Sequence, residues 1–205
     1  HLYDEETGSY GKYGSNVLAL RMGVPAERYE KVTAALRSNI AEVNDHLDTG
    51  IIGTRYLFEV LCDNGMADLA YKIMNQRDFP SYGWWLEQGA TTTWENWNGK
   101  DSRNHPMFGG GIGWYYRDLA GLRCIEPGFR SFEIRPVIPE DLEWVEYTHD
   151  TTYGEIRIRW EKSEGNFNLE CTVPVGTKAT VRIPEGSGYR THDVTSGTYS
   201  FSSKL

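Results

Sequence analysis

Before about residue 125, apolar residues recur at three- and four-residue steps, the spacing that places them on one face of a helix. The clearest stretch is 25–40, which opens on a proline at a first-turn position, and its apolar stripe consists of Tyr29, Val32, Ala35, Leu36 and Ile40. Similar patterns predict helices over 54–62, 66–76 and about 111–122. The linkers between them are short, which favours antiparallel helix pairs.

After Pro127 the apolar residues recur at every second position, as in the alternating polar and apolar residues of 155–160. Six short strands are predicted, over 132–136, 144–148, 155–160, 166–173, 178–183 and 198–202. They recur about every ten residues with glycine turns between them, which is typical of an antiparallel β-sandwich. We therefore predict a helical domain over 1–125 and a β-sandwich over 126–205.

The predicted helices carry strong apolar stripes, and four or five of them cannot bury all of that surface among themselves. We expect something else to cover it. Either further helices upstream of the printed sequence or the mate in a homodimer would do so.

Composition narrows the class of protein. The chain has 205 residues, of which 39% are hydrophobic and 24% charged, as in ordinary globular proteins. Its net charge of -8 argues against a nucleic-acid partner. No apolar run reaches the roughly 18 residues of a membrane span. The cysteines Cys62, Cys124 and Cys171 lack zinc-site spacing, and no acidic loop has calcium-binding spacing, so no metal or other cofactor is predicted.

Five of the seven tryptophans fall in the segment 79–114, which breaks the helical pattern. Long irregular segments between helices are more often functional than structural. Here Glu95 lies between Trp94 and Trp97, and His105 follows. Aromatic rings pack against the C–H face of a sugar ring, and carboxylates carry out glycoside hydrolysis, so the residue types point to a sugar site.

The residue types alone leave other interpretations open. A glutamate near tryptophans is commonly a surface residue whose stem packs on a ring, and a single histidine is usually structural. Glu87 is interpreted as a structural or solvated carboxylate, so a second catalytic carboxylate is not evident. The run Gly109 to Gly111 lacks the Lys-Ser/Thr of a phosphate-binding loop.

Several short motifs run through the chain in order, and together they are more specific than any one residue. They are Tyr3-Asp4-Glu5-Glu6-Thr7-Gly8, His46-Leu47-Asp48-Thr49-Gly50, Leu61-Cys62-Asp63-Asn64-Gly65, GATTTWENW at 89–97, and Asn104-His105. With them the chain resembles the C-terminal portion of the bacterial α-L-rhamnosidases, inverting glycoside hydrolases with an (α/α)6 barrel. The stretch GATTTWENW is the most specific part of the resemblance.

The resemblance implies roles for four residues. Glu95 corresponds to the general base that activates water, and His105 to a histidine that contacts the rhamnose. Trp94 and Trp97 would line or support the pocket. The family's general acid lies on an earlier acidic segment that has no match here. The loop between Glu95 and His105 is also shorter than is usual in the family.

The resemblance thus implies part of an (α/α)6 barrel followed by a β-sandwich, from an enzyme that removes terminal rhamnose from a glycoside or polysaccharide. By itself the chain is expected to be inactive. A periplasmic or extracellular location is favoured over a cytoplasmic one. The alternatives are a non-catalytic carbohydrate-binding or scaffold protein and an (α/α)6 glycosidase acting on another sugar.

Overall fold

The computed structural model describes residues 2–205, and the chain folds into two compact units, His1–Gly113 and Trp114–Leu205. Among residues 2–205, no helix combines the length and the apolar character needed to cross a bilayer. The domain limits expected at 125 and 126 stay a prediction.

The first unit is helical. Its elements are α1 (Tyr13–Met22), α2 (Ala26–Glu42), α3 (Ile51–Asp63), α4 (Ala67–Met74), α5 (Tyr82–Glu87) and a 3-10 helix (Pro106–Ile112). Helix α3 packs against α1, α4 and the 3-10 helix, and α1 also packs against α2. The helices predicted over 25–40, 54–62 and 66–76 are confirmed as α2, α3 and α4. Helix α2 buries Val32, Leu36 and Ile40, which all belong to the predicted stripe.

The helix predicted over about 111–122 is wrong. The structure has the 3-10 helix up to Ile112, a π-helical turn over Tyr115–Leu119, and a strand that starts at Leu122. At the start of this stretch Gly111 packs closely on Tyr82, since an added Cβ would lie 2.5 Å from the Tyr82 hydroxyl. At the other end Leu122 pairs with Ile134 in a sheet, so tertiary pairing overrides the local helical pattern.

A buried amide in α1 holds the segment before it. Asn16 is fully buried, and its Nδ2 donates to Ser9 Oγ at 2.9 Å and to Asn39 Oδ1 of α2 at 2.9 Å. Its Oδ1 accepts the backbone N–H of Tyr10 at 2.9 Å. This one side chain therefore joins α1 to α2 and to residues 9–10.

Replacing Asn16 by Ala is expected to lower the free energy of unfolding by about 1–3 kcal/mol, because three polar partners lose their hydrogen bonds in a buried place. Urea denaturation followed by circular dichroism measures the change. Ser38→Ala is a matched control, because the Ser38 hydroxyl bonds Glu42 on the exposed face of α2. Equal effects of the two substitutions would contradict the assignment.

The second unit is built from two four-stranded sheets. Its strands are β1 (Leu122–Cys124), β2 (Ser131–Ile134), β3 (Trp144–Thr151), β4 (Gly154–Ser163), β5 (Asn166–Val173), β6 (Lys178–Glu185), β7 (Gly188–Val194) and β8 (Gly197–Lys204). The sheets have the orders β1-β2-β6-β7 and β3-β4-β5-β8. Strands β2 and β6 run parallel, and the other neighbouring strands are antiparallel.

Both sheets contribute side chains to one apolar core, which makes this unit a β-sandwich, as predicted. Strand β4 contributes Ile156, Ile158 and Trp160, and the opposite sheet contributes residues such as Val181 and Ile183. The alternation in β4 arises because successive side chains of a strand point to opposite faces. All six predicted strands are present, and β1 and β7 are additional.

Candidate active site

The segment that carries Glu95 doubles back on itself between residues 92 and 105. The backbone N–H of Glu95 donates to the carbonyl of Ser102 at 2.8 Å, and that of His105 donates to the carbonyl of Thr93 at 2.8 Å. The Thr93 hydroxyl donates to the carbonyl of His105 at 2.6 Å. These bonds bring Glu95 and His105 side by side, although nine residues separate them in the chain.

One oxygen of the Glu95 carboxylate is held within this loop. Its Oε2 accepts the backbone N–H of Ser102 at 3.2 Å and lies 3.7 Å from His105 Nδ1. The Glu95 side chain is 42% exposed and that of His105 is 27% exposed. In the part of the chain that the structure describes, the other oxygen accepts no hydrogen bond from a protein group. It is therefore available to a water molecule or a ligand.

Trp94, next to Glu95, points into the unit. Its ring is 4% exposed and packs near Trp84 and Trp85, with ring centroids 6.1 and 5.7 Å away. Gly99 packs so closely against this ring that an added Cβ would lie 2.6 Å from its Cζ3, and the φ of Gly99 is +72°. The loop thus needs glycine at this position for two reasons, the space and the backbone conformation. In the folded chain Trp94 supports the loop from beneath.

Trp97 anchors the same loop to α5 and to the residue Thr49 that precedes α3. Its ring stacks on Trp85 of α5 with centroids 4.4 Å apart, and its carbonyl accepts the Trp85 indole N–H at 2.8 Å. Its own indole N–H donates to the carbonyl of Thr49, just before α3, at 3.3 Å. The ring is only partly buried, so one part of it stays open to solvent.

The segment 79–114 is less irregular than the sequence indicates, since it contains α5 and the 3-10 helix. Glu87 lies at the end of α5, where its exposed carboxylate pairs with Arg77 at 2.8 Å. That arrangement agrees with the interpretation of Glu87 as a structural or solvated carboxylate. The structure thus brings the four predicted site residues together in the loop 92–105. Glu95 and His105 lie side by side, and Trp94 and Trp97 pack the loop against the helical unit.

Sequence reasoning missed Ser102 and Arg103. Ser102 contacts Glu95 through its backbone, and no side-chain pattern reports such a contact. Arg103 places its guanidinium 4.7 Å from the centre of the Trp94 ring. In the sequence, only the presence of a cation near a tryptophan-rich stretch could have indicated Arg103. Such combinations are common at protein surfaces and therefore unspecific.

The arrangement can accept a proton. A half-exposed carboxylate, held through one oxygen and open at the other, is suited to deprotonate a bound water molecule. The adjacent imidazole can exchange hydrogen bonds with a ligand hydroxyl. Within residues 2–205 no cluster of three or more His, Cys, Asp or Glu side chains could hold a metal ion.

Comparison with known proteins places both units in one family. Residues 1–119 match the model of the bacterial alpha-L-rhamnosidase 6 hairpin glycosidase domain, and residues 121–198 match the bacterial alpha-L-rhamnosidase C-terminal domain. The chain belongs to the bacterial alpha-L-rhamnosidase family. Family membership agrees with the resemblance seen in the sequence, and the barrel-type helices followed by a β-sandwich are the architecture it implied.

Individual relatives agree with the assignment. An alpha-L-rhamnosidase of Streptomyces avermitilis is 34% identical over 180 residues, which cover 82% of this chain and 18% of that protein. The structure of alpha-L-rhamnosidase from Dictyoglumus thermophilum matches with a TM-score of 0.91 at 33% identity, over 99% of this chain and 27% of that one. The structure of the Streptomyces avermitilis enzyme complexed with L-rhamnose matches with a TM-score of 0.87 at 31% identity, over 93% and 21%. The chain therefore spans about a fifth of the curated relative's length.

Proposed function

We propose that this chain forms one side of the active site of an inverting α-L-rhamnosidase and that Glu95 is its general base. The observation that carries the proposal is the pairing of Glu95 with His105 in a loop whose GATTTWENW sequence belongs to a family member. The carboxylate has one oxygen held and one open, as a water-activating base requires.

The reaction follows from the chemistry of inverting glycosidases. Glu95 takes a proton from a water molecule, and the water oxygen attacks the anomeric carbon of a terminal rhamnose from the face opposite the leaving group. The bond to the leaving oxygen breaks, and a carboxylic acid protonates that oxygen. The products are rhamnose with inverted configuration and the free alcohol. The two carboxyl groups of such a pair stand about 6.5–9.5 Å apart, which leaves room for the water.

The other residues of the site would bind the substrate or support the loop that carries Glu95. His105 would hydrogen-bond a rhamnose hydroxyl, and the open part of Trp97 would line the pocket. Trp94 is buried and would act by supporting the loop. The general acid has no counterpart among the motifs of this chain, so we place it in another part of the complete enzyme.

Exposed apolar side chains on the helical unit support this placement. Met22, Ile52 and Leu86 are each more than 60% exposed, as expected for surface that another part of a barrel covers. We propose that the upstream half of the barrel, or the mate in a homodimer, covers them. The substrate class is a rhamnose-containing glycoside or polysaccharide. A periplasmic or extracellular location suits such a substrate.

The proposal is tested with two proteins, the purified 205-residue chain and the protein encoded by the complete open reading frame. Each is assayed on a panel of aryl glycosides that differ in the sugar. We expect the complete protein to cleave the α-L-rhamnoside, with nuclear magnetic resonance showing inversion of the anomeric centre in the first-formed product. We expect the chain alone to release nothing above background, because it lacks the general acid.

Each outcome has a definite meaning. Cleavage of a different glycoside, and not of the rhamnoside, would overturn the substrate assignment. Saccharide binding by the complete protein without turnover would favour a binding protein over an enzyme. Rhamnoside hydrolysis by the 205-residue chain alone would refute the placement of the acid elsewhere.

A further inference from the structure

We propose that Arg103 is a positioning residue that fixes the Glu95 carboxylate by clamping Trp94, an inference that rests on the role of Glu95 proposed above. The guanidinium lies 4.7 Å from the centre of the Trp94 ring. Trp94 and Glu95 are neighbours in the chain, so a displacement of the indole is transmitted through one peptide unit to the carboxylate.

Two residues of the loop, Gly99 and Arg103, contact the Trp94 indole. Gly99 presses on the ring of Trp94, with the site of an added Cβ 2.6 Å from Cζ3, and Arg103 stacks on the same indole. Arg103 is also bonded to Gly99, because its Nε–H donates to the carbonyl of Gly99 at 3.2 Å. The arginine therefore fixes the closed end of the loop and the indole together.

The backbone around Arg103 is bonded to the residues around Glu95. The preceding residue, Ser102, gives its N–H to Glu95 Oε2 and accepts the backbone N–H of Glu95. The carbonyl of Arg103 accepts the hydroxyl of Thr92. Movement of Arg103 would thus shift the Ser102 N–H that holds Oε2, and with it the orientation of the whole Glu95 carboxylate.

The position of Arg103 makes this role separable from folding. The residue is exposed, whereas Trp94 is buried, so shortening the arginine leaves no hole in the core. Small errors in position matter to a catalytic carboxylate, since a displacement of about 1 Å can cost about 100-fold in rate. A loop that is loosened and not displaced is expected to lose less.

The test uses the protein encoded by the complete open reading frame. We expect Arg103→Ala to lower kcat on an aryl rhamnoside by about 10-fold and to leave KM within about 2-fold, because substrate binding does not use this side chain. Arg103→Lys keeps a cation near the ring but loses the Nε–H bond to the Gly99 carbonyl, so it should recover only part of the rate. Arg77→Ala is the matched control, because Arg77 is an exposed arginine that pairs with Glu87 outside the loop.

A double variant separates positioning from general loosening. If Arg103 acts through Glu95, then Arg103→Ala adds no further loss of kcat once Glu95 is already Gln. An additional 10-fold loss in the double variant would overturn the inference. Thermal unfolding of each variant shows whether the fold is kept. A drop in melting temperature for Arg103→Ala, with kcat unchanged below it, would assign the residue a structural role only.

The outcomes also distinguish this inference from the proposed function. Full turnover by the Glu95→Gln variant would remove the basis of both. Loss of turnover in Glu95→Gln together with wild-type kcat in Arg103→Ala would overturn the role of Arg103 alone.

Discussion

Replacing Glu95 by Gln in the protein encoded by the complete open reading frame is expected to lower kcat for an aryl α-L-rhamnoside by about 10²–10⁴-fold. Glutamine has the shape of glutamate and retains an oxygen that can accept the Ser102 N–H, which bonds Glu95 Oε2 at 3.2 Å. It cannot take a proton from water near neutral pH. The substitution therefore removes the proposed base and leaves the loop in place, and KM should change little.

Glu87→Gln is the control for the loss of a carboxylate in the same segment. Its side chain is exposed and pairs with Arg77 at the end of α5, so we expect kcat to stay within about 2-fold of the wild type. Steady-state kinetics of both variants gives the comparison. Equal kcat values for Glu95→Gln and the wild type would show that Glu95 is not the base.

A second measurement distinguishes a base from a residue that only shapes the pocket. In Glu95→Ala the carboxylate is gone and space is left beside His105, where azide can enter. Azide is nucleophilic without a base, so it should restore turnover of a substrate with a good leaving group and give a rhamnosyl azide of inverted configuration. An azide product of retained configuration would contradict an inverting mechanism.

The elements that the sequence predicted are those whose burial follows a regular period. Helix α2 buries one stripe and β4 buries one face, and both patterns are visible in the residue types. Helix α1 was not predicted, because a buried polar residue, Asn16, interrupts its apolar positions. Strand β7 is mostly exposed on both faces and exists through its pairing with β6, which no local pattern reports.

Helix α5 is six residues long, too short to show a helical period. It is set by a local cap, in which the Ser81 hydroxyl accepts the backbone N–H of Trp84 at 2.9 Å. For the candidate site, the sequence predicted the individual residues but not that they lie next to one another. Glu95 and His105 stand out by type and motif, but their proximity depends on hydrogen bonds from their backbone N–H groups to the carbonyls of Ser102 and Thr93, and such bonds have no side-chain signature.

Replacing Trp160 by Ala is expected to lower the free energy of unfolding of the sandwich by about 3–5 kcal/mol. Trp160 lies on β4 and is fully buried, with its ring centroid 5.9 Å from that of Phe167. Its indole N–H donates to the carbonyl of Leu119 at 2.7 Å, so the substitution removes a large apolar volume and leaves a buried carbonyl without its partner.

Urea denaturation followed by far-ultraviolet circular dichroism measures the effect on the 205-residue chain. Trp144→Ala is the matched control on the same sheet, since Trp144 is 55% exposed and its loss should cost within about 0.5 kcal/mol. Trp160→Phe keeps part of the ring volume and removes the indole N–H, so its effect should fall between those of the two alanine variants. If Trp160→Ala and Trp144→Ala unfolded at the same urea concentration, the sandwich core would not be centred on Trp160. Trp144 and Trp160 lie on the paired strands β3 and β4, so the comparison tests the burial of the side chain within a single sheet.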